Sequence, residues 1–300
     1  MEDISNFVKV QELGSQKVRK FNDVYLVRHK DTGELGVQKH LEKTDRNEHI
    51  ARLIRDEAEI SFTVDGMPQT LAFAENNLDI VLIRKFQQGV PLQEYWKWVE
   101  KEDRIRFLHV ILKKLDPVFT CLKNNGIVHC DIKPSNILID DSNDTLKVNL
   151  IDYGMSVRKE KVYDRKTLFA LGYSAPELIL NKLHILDTPT DIFSLGITFW
   201  QLYTGKLPLL HANPGIMTNL QITHPLPEDR SIPEDIMQVL SKMCVKHAFR
   251  LPPNHMDPAE VDFYLQNAMS QRYQNLSEIM EDIQECRVSE KNWFRKLLAK

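Results

Sequence analysis

The chain has 300 residues, 42% of them hydrophobic and 27% charged, with a formal net charge of −3. That length can bury a large core in one two-lobed domain or two ordinary ones, and the composition is that of a globular chain, not a disordered one. The near-neutral balance gives no reason to expect nucleic acid or an anionic membrane as the main partner. Four cysteines (Cys121, Cys130, Cys244 and Cys286) are scattered without a C-x-x-C pair, which argues for reduced thiols and against a disulfide framework or zinc site. The acidic start, Met1 to Asn6, lacks the basic and apolar regions of a signal peptide, and no apolar run approaches the length of a membrane span. A cytoplasmic location is expected, the cytosol of a host receiving an injected bacterial protein being equally compatible.

Alternating and β-branched patterns predict strands over residues 7–13, 23–29 and 34–41, with the turn Lys30-Asp31-Thr32-Gly33 joining the last two. A charged helix is expected over about 45–62, with Ile50, Leu53, Ile54 and Ala58 at helical spacing. A strand over 78–85 leads into Gln87-Gln88-Gly89-Val90-Pro91, a natural hinge. Helices are expected over 92–99 and 102–123, the second ending at the C-cap signal Asn125-Gly126. A short loop between apolar runs follows at 127–139, then a polar hairpin turn at 140–144 and a strand over 146–151. The remainder reads as mostly helix: an apolar one over 191–203, one opening at Asp257-Pro258, one over 276–283, and a docked terminal helix in 289–300.

The loop at 127–139 carries the chemistry. In His129-Cys130-Asp131-Ile132-Lys133-Pro134-Ser135-Asn136 an acid, a cation and an amide stand at fixed offsets. Asp131 could accept a proton from a substrate hydroxyl, Lys133 could neutralise phosphate charge, and Asn136 could offer an oxygen to a divalent cation. Together these are the tools of phosphoryl transfer, where a protein mostly supplies positioning and charge stabilisation. Alone, the loop is also consistent with a polar turn capping two strands.

This loop resembles the catalytic loop of eukaryotic-type Ser/Thr protein kinases, H-R-D-x-K-x-x-N, with Cys130 where that family has arginine. Further stretches resemble the same family. Asp152-Tyr153-Gly154 is similar to its D-F-G motif, and Gly36-Val37-Gln38-Lys39 to its V-A-I-K strand. Gly172 to Glu177 resembles the end of its activation segment. Asp191 to Gly196, with Thr204 to Pro208, resembles the helix that buries an aspartate beneath the catalytic loop.

The resemblance implies an α+β, bilobal fold, with a small antiparallel-sheet N-lobe carrying one helix and a larger, mainly helical C-lobe. It implies a single domain over 1–300, with the N-lobe at about 1–85, the hinge at 85–90, the C-lobe at 91–300 and an insertion at about 251–271. By the same resemblance Asp131 and Lys133 are catalytic, and Asn136 and Asp152 hold Mg²⁺. Lys39 binds ATP phosphates and pairs with Glu57, Glu59 being the competing choice. Gly14, Val24 and Val37 line the nucleotide. Glu177 pairs with Arg250 or Arg272. The position just before the hinge is Arg84 or Ile83; an arginine there needs a carboxylate nearby, whereas a one-residue shift would leave it exposed.

The sequence departs from the family in four places, one being Tyr153 for the phenylalanine of D-F-G, which adds a hydroxyl that needs a partner. The phosphate-covering loop has no glycine from Ser15 to Asp23, leaving Lys17, Arg19 or Lys20 to assist. Ala170 replaces the usual threonine three residues before Tyr173. Cys130 cannot bind an activation-segment phosphate, so activity is expected not to need phosphorylation there, although Ser156, Tyr163 and Thr167 are available. The expected function is transfer of the ATP γ-phosphate to protein hydroxyls, Lys133 marking Ser/Thr over Tyr. The alternative is a non-catalytic pseudokinase scaffold, disfavoured because Lys39, Asp131, Asn136 and Asp152 are all present. A small-molecule phosphotransferase is opposed by the Pro176-Glu177 and Asp191 regions. The expected partners are ATP and a protein substrate, with room for a regulatory protein and none for a membrane span.

Overall fold

The computed structural model describes residues 2–13, 23–142, 145–163 and 167–284. Gly14, Lys17, Arg19, Lys20, Cys286 and the helix expected over 289–300 lie outside them. The two-lobed α+β arrangement expected from the sequence is present.

Strands β1 (Phe7–Glu12), β2 (Asp23–His29), β3 (Leu35–Glu42), β4 (Thr70–Glu75) and β5 (Asp79–Lys85) form one antiparallel sheet in the order β1-β2-β3-β5-β4. Successive side chains of a strand point to opposite faces. The β3–β5 register opposes Val37 to Arg84, Lys39 to Leu82 and Leu41 to Ile80, so these six share one face. Helix α1 (Glu48–Ala58) lays Ile50, Ala51, Ile54 and Ala58 onto that face, against Leu41, Ile80 and Leu82. The opposite face buries Val27, Ala72 and Ile83.

Two differences from the sequence expectation arise here. The helix runs 48–58 rather than 45–62. It starts late because the Asn47 side chain closes a turn, accepting from the Thr44 N–H and donating to the Glu42 carbonyl. Strand β4 was not expected at all: its inward residue is the small Ala72, while the larger Leu71 and Phe73 are only half-buried, which hides the alternation.

The hinge crosses from Lys85 to Gly89. Gly89 has φ +135°, and a Cβ there would meet the Ile139 carbonyl oxygen at 2.7 Å, so the crossing requires glycine. Beyond it, β6 (Val90–Pro91) joins β8 (Ile137–Asp140) and β9 (Lys147–Leu150) in a small sheet, and β7 (Ile127–Val128) pairs with β10 (Val157–Arg158). Helices α2 (Leu92–Tyr95), α3 (Arg104–Asn124), α4 (Pro176–Ile179), α5 (Thr188–Thr204), α6 (Pro214–Thr223), α7 (Glu234–Met243), α8 (Pro258–Gln271) and α9 (Leu276–Gln284) make up the rest. The helix expected over 92–99 stops at Tyr95 and continues as a 3₁₀ turn, Trp96–Trp98.

Helix α5 is apolar all round and lies at the centre of the large core, as such a helix must. It begins earlier than the sequence pattern suggests, because Asp187 and Thr190 form a capping box. α9 packs against α3 and α7, burying Leu276, Ile279 and Ile283. α8 opens where Asp257 accepts the N–H groups of Ala259 and Glu260, and it buries Val261, Leu265 and Met269 in a satellite core with Ile185. Among the described residues no helix is long and apolar enough to cross a membrane.

Candidate active site

The loop between β7 and β8 is suspended from α5. Both Asp191 oxygens receive backbone N–H groups, from His129 at 2.7 Å and Cys130 at 2.9 Å. Burial pushes the Asp191 carboxyl up to about 7, while those two bonds work the other way. Cys130 holds φ +64°, a conformation few non-glycine residues adopt. Its side chain is buried with Val128, Val157, Leu178 and Leu186, and burial keeps the thiol protonated. The side chain at this position is thus an apolar plug. His129 is fully buried, accepts the Asp131 N–H at Nδ1, and is pushed down by burial to about 4.

This suspension presents three polar groups together. Lys133 Nζ donates to both Asp131 oxygens, at 2.7 and 3.0 Å. Asn136 Nδ2 donates to Asp131 Oδ2 at 2.8 Å and to the Asp131 carbonyl at 2.9 Å. Burial raises the Asp131 carboxyl above its ordinary range, and the bonds from Lys133 and Asn136 counter that rise. A carboxylate so tuned and fixed is suited to receive a proton.

A second chain of charges lies across the cleft. Lys39, on β3, donates to Glu57 Oε2 at 2.6 Å and to Asp152 Oδ1 at 2.7 Å. Burial alone would favour the neutral amine, but Asp152 and Glu57 together hold Lys39 firmly protonated. In turn the Lys39 ammonium holds the Asp152 carboxyl down to about 2. Of the two candidate glutamates it is Glu57 that meets the lysine; Glu59 faces Arg158 at 3.3 Å. Asp152 turns the chain at φ +66°, and Tyr153 is buried edge-on to His129 with centroids 4.7 Å apart. The Tyr153 hydroxyl, for which a partner was expected, has none among the described residues. Val24 and Val37 are half-buried, on the Lys39 face of the sheet.

These oxygens suit a divalent cation. Asp152 is ionised and its side chain is 46% exposed; Lys39 occupies Oδ1 and leaves Oδ2. Asn136 uses its amide N–H₂ on Asp131, so among the described residues its oxygen is bonded only by the Ser135 hydroxyl at 3.5 Å. Among the described residues no cluster of three His, Cys, Asp or Glu could hold a metal alone. Two hard oxygens supplemented by a ligand's phosphates is the arrangement Mg²⁺ favours.

The surrounding contacts decide two points left open. Arg84 is buried, and its guanidinium is met directly by backbone carbonyls and the Thr70 hydroxyl, with the Glu57 and Asp152 carboxylates near enough to favour its charge. A carbonyl is half of a strong dipole, so several of them can substitute for one anion at less desolvation cost. The choice left open for Glu177 falls to Arg272, whose Nη1 and Nη2 reach it at 2.6 and 3.1 Å with both side chains 0% exposed.

The segment after Asp152 is tied down by cations that the sequence reading overlooked. Lys161 meets Asp56, Arg158 meets Glu59, and Lys159 reaches Asp187 at 2.7 Å. The basic run Arg158-Lys159-Glu160-Lys161 was the available signal, but nothing local names its partners. Ala170, at the place of the usual threonine, contributes only its carbonyl, to the Tyr173 and Ser174 N–H groups.

Comparison with known proteins accords with this geometry. A family model described as protein kinase domain matches residues 7–253. The chain is 29% identical to the maternal embryonic leucine zipper kinase of Danio rerio, over 63% of this chain and 28% of that protein. It is 29% identical to the serine/threonine-protein kinase AtPK2/AtPK19 of Arabidopsis thaliana, over 70% of this chain and 45% of the relative. It is 32% identical to the dual specificity mitogen-activated protein kinase kinase jkk-1 of Caenorhabditis elegans, over 52% and 38% respectively. The matched regions thus span well under two thirds of each of these relatives.

Proposed function

The chain belongs to the protein kinase family, and from that premise we propose that it transfers the γ-phosphate of ATP to serine and threonine hydroxyls of proteins. The observation that carries this is the union of Asp131, Lys133 and Asn136 in one hydrogen-bonded set, beside the Glu57–Lys39–Asp152 chain. Asp131 accepts the proton of the substrate hydroxyl. The hydroxyl oxygen bonds to the γ-phosphorus as the bond to the β–γ bridging oxygen breaks, and ADP leaves with that electron pair. Lys133, already at the Asp131 carboxylate, offsets charge on the transferring group. Lys39, fixed by Glu57, receives the other phosphates. Asp152 and Asn136 would hold Mg²⁺, which when bound neutralises phosphate charge.

The Ser/Thr preference rests on Lys133, the residue that marks that class in the family, and on relatives named as serine/threonine kinases. The dual-specificity relative keeps tyrosine in the comparison.

The test is incubation with labelled ATP and Mg²⁺, offering serine, threonine and tyrosine peptides beside small-molecule acceptors. Transfer to serine and threonine peptides is expected, falling at least ~10²-fold in Asp131→Asn, the usual share of a positioned base. Asp152→Ala serves as the second control. Wild-type protein that transfers no faster than these variants would instead support a non-catalytic scaffold.

A further inference from the structure

Strand β5 is apolar over Ile80-Val81-Leu82-Ile83 and then carries Arg84, of which only 4% is exposed. The register opposes Arg84 to Val37 and Leu82 to Lys39, so this arginine lies on the Lys39 face, under α1. A guanidinium offers five donors in a rigid fork. Here Nη1 donates to the Glu57 carbonyl at 2.8 Å, the Ile60 carbonyl at 2.7 Å and the Thr70 hydroxyl at 3.2 Å, and Nη2 donates to the Pro68 carbonyl. The Tyr153 ring lies 5.6 Å from the guanidinium carbon.

The acceptors explain the location. The last carbonyls of a helix have no partner inside it, and its C-terminal end carries partial negative charge. α1 ends at Ala58, so the Glu57 carbonyl lies in its last turn; it accepts the Ile60 N–H at 3.1 Å and, from a different element, Arg84 Nη1 as a second donor. Glu57 is therefore held twice, by its carbonyl to β5 and by its carboxylate to Lys39 on β3. β3 and β5 are paired, with Lys39 opposite Leu82, two residues from Arg84. The four residues Lys39, Glu57, Arg84 and Leu82 thus close a small ring of strand pairing, ion pair and cap.

We propose that Arg84 is a positioning residue for the Lys39–Glu57 pair. It locks the C-terminal end of α1 to the sheet and so holds Glu57 at Lys39. The proposal deepens the kinase reading above and rests on it.

The full-length chain tests it through a double-mutant cycle. Arg84→Met keeps the volume and removes the donors; Arg84→Lys restores one cationic donor group; Glu57→Gln removes the other tether. Two readouts are taken: kcat/KM for ATP, and amide hydrogen exchange over residues 48–60. R84M is expected to lower kcat/KM ~10–100-fold and to speed exchange over 48–60, with R84K in between. The double variant R84M/E57Q is expected to be no slower than E57Q, since each removes the same arrangement. Multiplying losses, or an R84M enzyme within twofold of wild type, would overturn the proposal. If R84M does not fold, Arg84→Gln, which keeps an amide donor at the site, enters the same cycle with the same readings. A wild-type chain that transfers no phosphate refutes the kinase reading alone. The proposal is then decided by the exchange rates and by ATP affinity, and an unchanged exchange pattern in R84M sinks it.

Discussion

His129, Cys130 and Asp152 set the tone of the site one residue at a time. Cys130 and Asp152 occupy left-handed backbone conformations that cost free energy in non-glycine residues. Both persist because partners over-determine them: Asp191 holds the Cys130 N–H, and Lys39 holds the Asp152 carboxylate. His129 adds a pH dependence of definite sign. Its folded value of about 4 lies below the ordinary 6.5, so as pH falls the unfolded chain takes up this proton first. The contribution is fully present above 6.5 and is lost as pH falls toward 4. Between pH 7 and pH 5 the loss is about 2 kcal/mol. Urea unfolding of wild type and His129→Phe at both pH values should therefore show the gap in stability narrowing by that amount at pH 5. A gap that stays constant would mean that His129 is not held neutral.

Among the elements, α1 and the segment after Asp152 are joined directly to each other. In the family as the sequence resembles it, an arginine beside the catalytic aspartate grips a phosphate to order that segment; here Cys130 is buried in an apolar cluster and cannot. The segment is instead joined to α1 by Lys161–Asp56 and Arg158–Glu59. The two pairs are not equal. Glu59 is 56% exposed and an ion pair there is worth ~0–1 kcal/mol, whereas the Asp56 side chain is only 7% exposed and suffers when its cation is removed. Lys161→Met should thus slow transfer several-fold, Arg158→Ala less than twofold, and phosphatase treatment of wild type should leave its rate unchanged. A rate abolished by phosphatase and restored by autophosphorylation would refute this arrangement.

At the scale of the whole molecule, the fold closes beyond the region that the family model matches. That match ends at residue 253, yet the cation for Glu177 is Arg272, and α9 fills the core beside α3 with Leu276, Ile279 and Ile283. Leaving Glu177 buried without its cation costs ~3–5 kcal/mol, a large part of the ~5–15 kcal/mol that holds a domain together. Arg272→Met should lower the thermal midpoint accordingly, and the double variant E177Q/R272M should regain most of it. A chain ending at Pro253 loses both the cation and the α9 side chains, and is expected to show no cooperative unfolding transition by circular dichroism. A cooperative transition in that truncated chain would show that the lower lobe closes without them.

The sequence determined whatever depends on neighbours in the chain. The offsets in His129 to Asn136, the Asp152 turn, the strand over 23–29, the strand expected over 78–85 and found over 79–85, and the apolar α5 all follow from turn chemistry and periodicity, which act over a few residues. It left open every choice of a distant partner. Glu57 and Glu59 are both charged positions near the end of one helix, and Arg250 and Arg272 are both basic residues beyond α7; only the packing of α1 on the sheet and of α9 on α3 selects between them. β4 was hidden because burying a strand needs only a fit, and Ala72 fits against Val27 and Ile83 without an apolar signal of its own. The carbonyls that meet Arg84 were hidden for the same reason: a residue's own sequence states its charge but not which carbonyls a helix end will bring to it. Tertiary structure decided these points, because burial makes an unpaired polar group costly and so selects one arrangement among several that the local sequence allows.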